Sequence, residues 1–214
     1  MVSPDLAALR AEYAREGLDE AEAGDDPVAL FGRWVADAVS AGVHESNAMA
    51  LATANASGRP SVRIVLLKGF GDDGAIFYTN YDSRKGLELA GNPQCAVLFP
   101  WHDLQRQVRV EGRVEQVSRE ESEHYFSTRP RGSQLGAWAS PQSQVVASRD
   151  ELEQRYAEVE HRFEDADVPL PESWGGYLVV PESVEFWQGR RGRMHDRLVY
   201  RRTPEGWDVV RLAP

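Results

Sequence analysis

Residues 48–68 read AMALATANASGRPSVRIVLLK, and this stretch decides the fold that the sequence predicts. Two apolar segments, Ala48–Ala54 and residues 61–68, lie on either side of the turn-forming sequence NASGRP at residues 55–60. Apolar runs of this length around a cluster of Asn, Ser, Gly and Pro are typical of a β-hairpin. We therefore expect two antiparallel strands here.

More short strands follow the hairpin, beginning after a Gly-Asp-Asp-Gly turn at residues 71–74. They are predicted at residues 75–79, 95–101, 107–117, 175–180 and 183–186, and in a closing hairpin of residues 198–202 and 207–212. Because strands joined by short turns favour antiparallel pairing over a doubly wound arrangement, we predict a mainly β fold with flanking helices (α+β), an antiparallel sheet or barrel. With no internal repeat or low-complexity linker, residues 1–214 are predicted to form a single domain.

Helices are expected at the N-terminus and between the strands. Ser3-Pro4-Asp5 and Asp26-Pro27 both place a capping residue next to a proline, which predicts a helical segment over residues 1–40. An acidic stretch at residues 17–25 interrupts that segment. Capping boxes that begin at Ser118 and Ser148 predict two more helices, later in the chain.

The composition excludes several classes of protein. A net charge of −10 argues against a general nucleic-acid binder, which needs a basic surface to neutralise phosphates. No apolar run approaches the roughly 18 residues of a membrane span, and the N-terminus lacks the pattern of a secretory signal. We therefore expect a cytoplasmic protein without a membrane partner. The five histidines lack metal-ligand spacing, so no metal site is expected.

Cysteine and tryptophan are assigned to the core by default. The single cysteine, Cys95, lies in the apolar run at residues 95–99, which predicts a buried structural thiol and excludes an internal disulfide. Trp34, Trp101 and Trp207 are likewise predicted to be core residues.

Three cationic clusters are candidate binding sites. Arg63 and Lys68 bracket an apolar strand. Because they differ in parity, they point to opposite faces of a regular strand, so they either serve one ligand at a strand end or a bulge, or serve two ligand groups. The alternative is a buried strand whose ends reach solvent. Ser83-Arg84-Lys85 places two cations in the first turn of a predicted helix, which suits a phosphate, the alternative being a solvated basic turn.

The third cluster combines Tyr125 with the sequence RPRGSQ at residues 129–134. Arginine, tyrosine and serine at the exit of a helix suit a second phosphate through charge-assisted hydrogen bonds. Taken alone, this pattern favours a surface loop.

A cationic row lies near the C-terminus, where RMHDR at residues 193–197 follows FWQG at residues 186–189. In an extended strand, Arg193, His195 and Arg197 would point to one face, because side chains alternate. Such a row favours an anionic or electron-rich ligand opposite it.

Together these motifs resemble the pyridoxine/pyridoxamine 5′-phosphate oxidase family, over almost the whole chain. The motifs that carry the resemblance are, in order, Arg63 to Lys68, Tyr78-Thr79, Ser83-Arg84-Lys85, Arg106-Gln107, Tyr125 with residues 129–134, Gln142-Ser143, residues 186–189, residues 193–197, and RLAP at residues 211–214. The resemblance implies an FMN-binding split β-barrel that forms a homodimer with active sites at the interface. It also implies oxidation of pyridoxine or pyridoxamine 5′-phosphate to pyridoxal 5′-phosphate, with O2 reduced to hydrogen peroxide.

The resemblance also implies a role for individual residues. The implied FMN contacts are Arg63, Ile64, Val65, Leu66, Leu67, Lys68, Tyr78, Thr79, Arg84, Lys85, Gln107, Gln142, Ser143, Trp187 and Arg197. The implied substrate contacts are Lys68, Tyr125, Arg129 and Ser133 at the phosphate, Arg193 and His195 near the reacting carbon, and the Arg10–Tyr13 pair that closes over the substrate. Arg193 and His195 are the candidate catalytic residues; the sequence leaves open which of them, if either, is a base. The alternatives are a related flavin oxidase with another substrate, such as a phenazine precursor, and a non-catalytic flavin- or pyridoxal-phosphate-binding protein.

Overall fold

The computed structural model describes Tyr13 and residues 17–214. The helices are α1 Glu20–Ala23, α2 Pro27–Ser40, α3 Arg84–Gly91, α4 Arg119–Ser127, α5 Arg131–Ala139 and α6 Arg149–Arg162, with short 3₁₀ turns at His102–Leu104 and Arg191–Arg193. The strands are β1 Ala48–Ala54, β2 Pro60–Leu66, β3 Gly69–Gly71, β4 Gly74–Asn80, β5 Gln94–Trp101, β6 Arg106–Gln116, β7 Trp174–Gln188, β8 Asp196–Thr203 and β9 Gly206–Arg211.

The strands hydrogen-bond in the order β2-β1-β5-β6-β7-β4-β3, with β8 added to β7 and β9 to β8. The predicted first hairpin is present: Ala48 pairs with Leu66 and Ala54 with Pro60, in antiparallel register. The closing hairpin of β8 and β9 is also antiparallel. The predicted fold class, mainly antiparallel β with flanking helices, is confirmed.

The chain divides into two compact units. The central unit contains Ala48–Val97 and Glu111–Pro181, and the terminal unit contains Leu98–Val110, Glu182–Pro214 and the described residues up to Asn47. The prediction of one domain over residues 1–214 stays a prediction.

The terminal unit has an aromatic core. Helix α2 begins after Asp26, whose side chain accepts a hydrogen bond from the Val28 amide, with Pro27 in the first turn as predicted. Its buried face carries Trp34, which meets Phe186 of β7 edge-to-face at 5.2 Å between ring centroids. This contact fixes the end of β7 that carries Trp187.

The central unit packs its helices around a second core. Phe126, Leu135, Phe163, Val168, Leu170 and Trp174 form one buried cluster. Because Trp174 opens β7 and Phe126 closes α4, this cluster ties the helices to the sheet at the place where candidate site residues lie.

Several local predictions need correction. The acidic stretch at residues 17–25 contains the short helix α1, which Asp19 caps by accepting from the Glu22 amide. Residues 129–134 were interpreted as a surface loop, but α5 begins within them, at Arg131, with Pro130 at its N-cap. The two strands predicted at residues 175–180 and 183–186 are one strand, β7. Strand β7 pairs with β4 as far as Val179 and with β8 from Ser183 onward. Pro181, which has no amide hydrogen to donate, lies between these two paired stretches.

Two default core assignments are wrong, and one helix cannot be checked. Trp34 and Trp101 are buried as predicted, but Trp207 is partly exposed with the Arg202 guanidinium 4.9 Å from its ring centroid. Cys95 is also partly exposed. The helix predicted to start at Ser3 lies outside the described residues, apart from Tyr13.

Candidate functional site

A cavity of about 650 Å³ lies in the central unit and gathers most of the predicted binding residues of that unit. Its walls contain Arg63, Ile64, Val65, Leu66, Lys68, Tyr78, Thr79, Lys85, Tyr125, Thr128, Arg129, Pro130, Ser133, Gln142 and Trp174. A volume of this size is typical of small-molecule and cofactor sites.

Arg63 and Lys68 both reach this cavity, although their parity places them on opposite faces of a regular strand. The structure resolves the conflict because β2 ends at Leu66, before Lys68. The Lys68 amide then donates to the Ile76 carbonyl of β4, at 2.8 Å. Lys68 therefore lies at a strand end, one of the two arrangements in which the sequence allowed a shared ligand.

Lys85 is the buried cation at the start of α3. Ser83 caps this helix, as predicted, through the Gly86 amide. The Lys85 Nζ donates to Gln142 Oε1 at 2.7 Å, to Thr79 Oγ1 at 3.0 Å and to Ser83 Oγ at 3.1 Å. Burial, helped by the charge of Arg63, lowers the pKa of Lys85 to about 8. Such a depressed pKa marks a cation that lacks an anion, which a bound phosphate would supply.

Arg63 and Arg84 differ from Lys85 because both pair with Glu88. The Glu88 carboxylate is 7% exposed; its Oε1 lies 2.9 Å from Arg84 Nε and its Oε2 lies 3.3 Å from Arg63 Nη2. The hydroxyls of Thr53 and Ser61 also donate to Oε2. Hydrogen bonds from Ser61, Thr53 and Arg84 outweigh burial and hold the pKa of Glu88 at about 2. Glu88 therefore stays ionised and anchors Arg63 at the cavity wall.

Arg129 is a second cation in this cavity without a carboxylate partner. Its Nη1 is buried and, within the part of the chain that the structure describes, has no hydrogen-bond partner. Its guanidinium carbon lies 4.6 Å from the centroid of the Trp174 ring and 5.4 Å from that of Phe126. Burial lowers the pKa of Arg129, opposed by the nearby Tyr125. A buried N–H that no protein group satisfies indicates a ligand acceptor.

An aromatic stack forms the wall beside Arg129. The rings of Tyr78 and Tyr125 lie parallel with centroids 3.9 Å apart, and Trp174 continues the stack at 5.5 Å from Tyr78. The Lys68 Nζ lies 6.0 Å from the Tyr125 centroid. Burial, with the negative charge of Glu121, raises the pKa of Tyr78 to about 12, so its hydroxyl stays protonated. The stack offers a flat apolar surface and hydroxyl donors to a ligand.

The terminal unit holds a second group of candidate residues around His195. The His195 ring lies 4.6 Å from Trp187 and 5.4 Å from Tyr13, measured between centroids. Its Nδ1 accepts a hydrogen bond from the Arg190 amide at 3.0 Å. Because Nδ1 carries the lone pair that accepts this bond, the neutral ring carries its proton on Nε2. His195 in this state is a hydrogen-bond donor at Nε2.

The expectation that Arg193, His195 and Arg197 line one strand face is wrong. Arg193 ends the 3₁₀ turn with a φ of 62°, and β8 begins only at Asp196. The preceding Gly192 also has a positive φ, so the backbone turns sharply instead of extending. Of Arg193, His195 and Arg197, Arg197 alone lies in a strand.

Arg197 is held by a buried carboxylate. Glu185 of β7 accepts from Arg197 Nε at 2.8 Å and from its Nη2 at 3.1 Å, and it also pairs with Arg109 at 2.6 Å. The hydrogen bonds that Arg197 donates to Glu185 raise the pKa of Arg197 above its ordinary value. Arg197 is therefore a fixed, permanently charged cation in the terminal unit.

The remaining predicted residues are distributed as follows. Leu67, Arg84 and Ser143 belong to the central unit but do not line its cavity, and Gln107 lies on β6 in the terminal unit. Arg10 lies outside the described residues. Trp174 and Glu88 were missed by sequence reasoning. Trp174 directly precedes Gly175-Gly176, which was interpreted only as the start of a strand. Glu88 lies four residues after Arg84 on the same predicted helix, a spacing that indicates an ion pair.

The cavity residues fit a ligand that carries phosphate groups, as FMN does. Lys68, Lys85 and Arg129 line one cavity, and none of them pairs with a carboxylate of the described residues. Lys85 is buried and Arg129 is half-buried, and cations in such places are costly without an anion unless a ligand neutralises them, whereas Lys68 is exposed at the cavity wall. The described residues contain no group of three or more side chains suited to a metal ion, and no described helix is long and apolar enough to cross a membrane.

Two family models match this chain. One, described as pyridoxamine 5′-phosphate oxidase, matches residues 35–163, and the other, described as pyridoxine 5′-phosphate oxidase C-terminal dimerisation region, matches residues 174–214. Two curated relatives named pyridoxine/pyridoxamine 5′-phosphate oxidase are each 60% identical to this chain. The alignment with the Rubrobacter xylanophilus protein covers 98% of this chain and 97% of the relative, and that with the Nocardioides sp. protein covers 98% of each.

Solved structures share the fold. PhzG from Burkholderia lata 383, determined with tetrahydrophenazine-1-carboxylic acid, superposes with a TM-score of 0.86 at 31% identity, over 91% of this chain and 95% of that chain. A pyridoxamine 5′-phosphate oxidase-related, FMN binding protein from Nostoc punctiforme shows a TM-score of 0.67 at 18% identity, over 85% and 96%. These likenesses confirm the predicted fold, and the second shows the fold alone.

Proposed function

This chain belongs to the pyridoxamine 5′-phosphate oxidase family, and we propose that it oxidises pyridoxine 5′-phosphate and pyridoxamine 5′-phosphate to pyridoxal 5′-phosphate with FMN as its cofactor. Oxygen is the electron acceptor, and hydrogen peroxide is the product. Relatives that carry this name align with the chain at 60% identity over nearly its whole length.

The observation that carries this proposal is the set of cations Lys68, Lys85 and Arg129, which line one cavity without carboxylate partners. Two phosphorylated ligands, the cofactor and the substrate, account for more than one such cation.

The proposed FMN phosphate site lies in the central unit. Lys85, Thr79 and Gln142 form a hydrogen-bonded group at the N-terminus of α3, where backbone amides and the helix dipole favour a phosphate. When bound, FMN supplies the redox chemistry by accepting a hydride from the substrate and passing the electrons to O2. The full proposed set is Arg63, Ile64, Val65, Leu66, Leu67, Lys68, Tyr78, Thr79, Arg84, Lys85, Gln107, Gln142, Ser143, Trp187 and Arg197.

The proposed substrate site places the phosphate at Lys68, Tyr125, Arg129 and Ser133. Arg129 contributes a buried N–H that requires an acceptor, and Lys68 and Tyr125 lie together at the aromatic wall. Tyr13 and, by resemblance, Arg10 cover the substrate.

Arg193 and His195 are proposed to act at the reacting end of the substrate. With its Nδ1 occupied by the Arg190 amide, neutral His195 donates from Nε2 to a substrate oxygen or nitrogen. This geometry favours a role for His195 in orienting the substrate and stabilising charge over a role as proton acceptor. Arg193 is exposed on its turn and is available to approach the substrate.

A homodimer with active sites at the interface is part of the proposal. Beyond the match to a dimerisation region, the edge strand β2 exposes an apolar stripe: Val62 is 69% exposed, Ile64 60% and Leu66 36%. Exposed apolar edge strands are liabilities in a monomer. Because Ile64 and Leu66 also line the cavity, a second copy that covers the stripe would complete its wall. A cytoplasmic location stays a prediction.

The test is a peroxide assay on the purified, FMN-loaded protein with each phosphate ester and with its phosphate-free counterpart. We expect hydrogen peroxide with both esters and at least about a hundredfold lower kcat/KM without the phosphate, since charged hydrogen bonds to Lys68 and Arg129 are lost. Equal rates with and without phosphate would contradict the assignment of the cations. Turnover of a phenazine precursor in place of both esters would favour the activity of a PhzG-like oxidase.

A further inference from the structure

We propose that Trp174 is a positioning residue for the substrate phosphate: its indole face holds the Arg129 guanidinium so that the in-plane N–H groups point into the cavity. The inference rests on the proposed function, because it assigns Arg129 to that phosphate. Neither the family motifs nor the resemblance pointed to Trp174.

The geometry of Arg129 is set by aromatic rings. Its guanidinium carbon lies 4.6 Å from the Trp174 centroid and 5.4 Å from the Phe126 centroid, and these two rings meet edge-to-face at 5.2 Å. No carboxylate of the described residues forms an ion pair with Arg129, so the rings replace the anion that usually orients a buried arginine. Cation–π contact of this kind is stronger where the cation is desolvated.

The guanidinium carbon lies over the Trp174 ring, and the proposed stacking has a defined chemical consequence. Contact with a ring occupies a face of the planar group, whereas its N–H donors all lie in the plane. The buried Nη1 has no protein partner, so a donor remains for an acceptor in the cavity. An oxyanion such as a phosphate can receive two in-plane donors at once. Trp174 thereby sets the direction from which Arg129 binds.

Trp174 is itself fixed firmly enough for this task. It is 7% exposed, it belongs to the buried cluster of the central unit, and its ring lies nearly parallel to Tyr78 and Tyr125, at 9° and 4°. Arg129 and Trp174 line both the main cavity and a smaller one of about 270 Å³. The same tryptophan therefore joins the aromatic wall to the cation.

A purely structural Trp174 would contribute to folding but not to Arg129, and a double-mutant cycle separates the two roles. Isothermal titration calorimetry measures the Kd of the product pyridoxal 5′-phosphate, which carries the same phosphate and does not reduce the flavin, for FMN-loaded wild type, Trp174→Met, Arg129→Gln and the double variant. We expect Trp174→Met to weaken binding about tenfold in the wild-type background and less than about twofold in the Arg129→Gln background. Trp174→Phe, which keeps a ring face, should restore binding to within about threefold of wild type.

Equal losses in the two backgrounds would overturn the inference, as would an unchanged Kd in Trp174→Met. Phosphate-free pyridoxal is the internal control, and its affinity should be the same in wild type and Trp174→Met. If Trp174→Met does not fold, Arg129→Lys tests the same point. An ammonium group has no planar face to rest on the indole ring, so we expect this variant to bind about tenfold more weakly. An unchanged Kd would overturn the inference. A wild type that does not bind pyridoxal 5′-phosphate would instead overturn the proposed function.

Discussion

The pKa of Lys85 makes a quantitative prediction about cofactor binding. Burial and the charge of Arg63 place that pKa at about 8, far below the value of a lysine in water. A bound phosphate would favour the charged ammonium, so binding requires proton uptake once the free protein has lost this proton. For a pKa of about 8, the charged fraction falls about tenfold between pH 7 and pH 9. The affinity for FMN should therefore fall about tenfold over this range, equivalent to about 1.4 kcal/mol.

The assay is quenching of FMN fluorescence by the apo-protein, titrated at about pH 7, 8 and 9. Over this range the phosphate of FMN is already a dianion, because its second pKa is near 6. The matched control is Lys85→Arg, which stays charged throughout and should show a flat profile. A wild-type affinity that does not change with pH would refute this reasoning. So would an equal decline in Lys85→Arg, because the decline would then belong to another group.

Further predictions concern the helix that carries Lys85, its buried carboxylate and the terminal unit. Gly86→Ala should lower the free energy of unfolding, measured in urea, by about 2 kcal/mol or more, because a Cβ at this position collides with the Tyr81 carbonyl. The control is Gly91→Ala on the same helix. Its Cβ meets no other atom, so this variant should be neutral or slightly stabilising. Glu88 has a pKa of about 2 in the folded protein against 4.5 as its ordinary value, so its stabilisation is complete above about pH 4.5 and is lost as the pH falls to about 2. Thermal unfolding should show that the stability difference between wild type and Glu88→Gln disappears over that interval; a constant difference would contradict the assigned pKa. His195→Ala should lower kcat about a hundredfold while the Kd of FMN stays unchanged, and loss of bound flavin would show that His195 holds the cofactor instead.

Much of the fold follows from local sequence signals. The hairpin of β1 and β2 and the start of α2 were predictable because their turn residues and caps act within a few residues of the chain. The joining of two predicted strands into the single strand β7 was not predictable, because Pro181 is typical of a strand break. Its tolerance depends on the change of strand partner at that point, which is a tertiary property.

The same distinction holds for the site. Lys68 and Lys85 were recognisable from charge in an apolar or helix-capping context. The role of Glu88 and the contact of Trp174 with Arg129 both depend on side chains that are distant in sequence. Glu88, for example, lies 25 residues after Arg63 in the chain. The turn at Arg193 was missed because strand periodicity was applied from Arg193 onward, whereas Gly192 and Arg193 both have a positive φ and the strand begins only at Asp196.

The most direct test of the proposed oxidase activity is a single turnover of the FMN-loaded protein in the absence of oxygen. Addition of pyridoxamine 5′-phosphate should bleach the visible absorbance of the bound flavin, and later admission of oxygen should restore it with release of hydrogen peroxide in equal amount. A protein that binds no FMN, or a bound flavin that stays coloured with both pyridoxamine and pyridoxine 5′-phosphate, would contradict the proposed function.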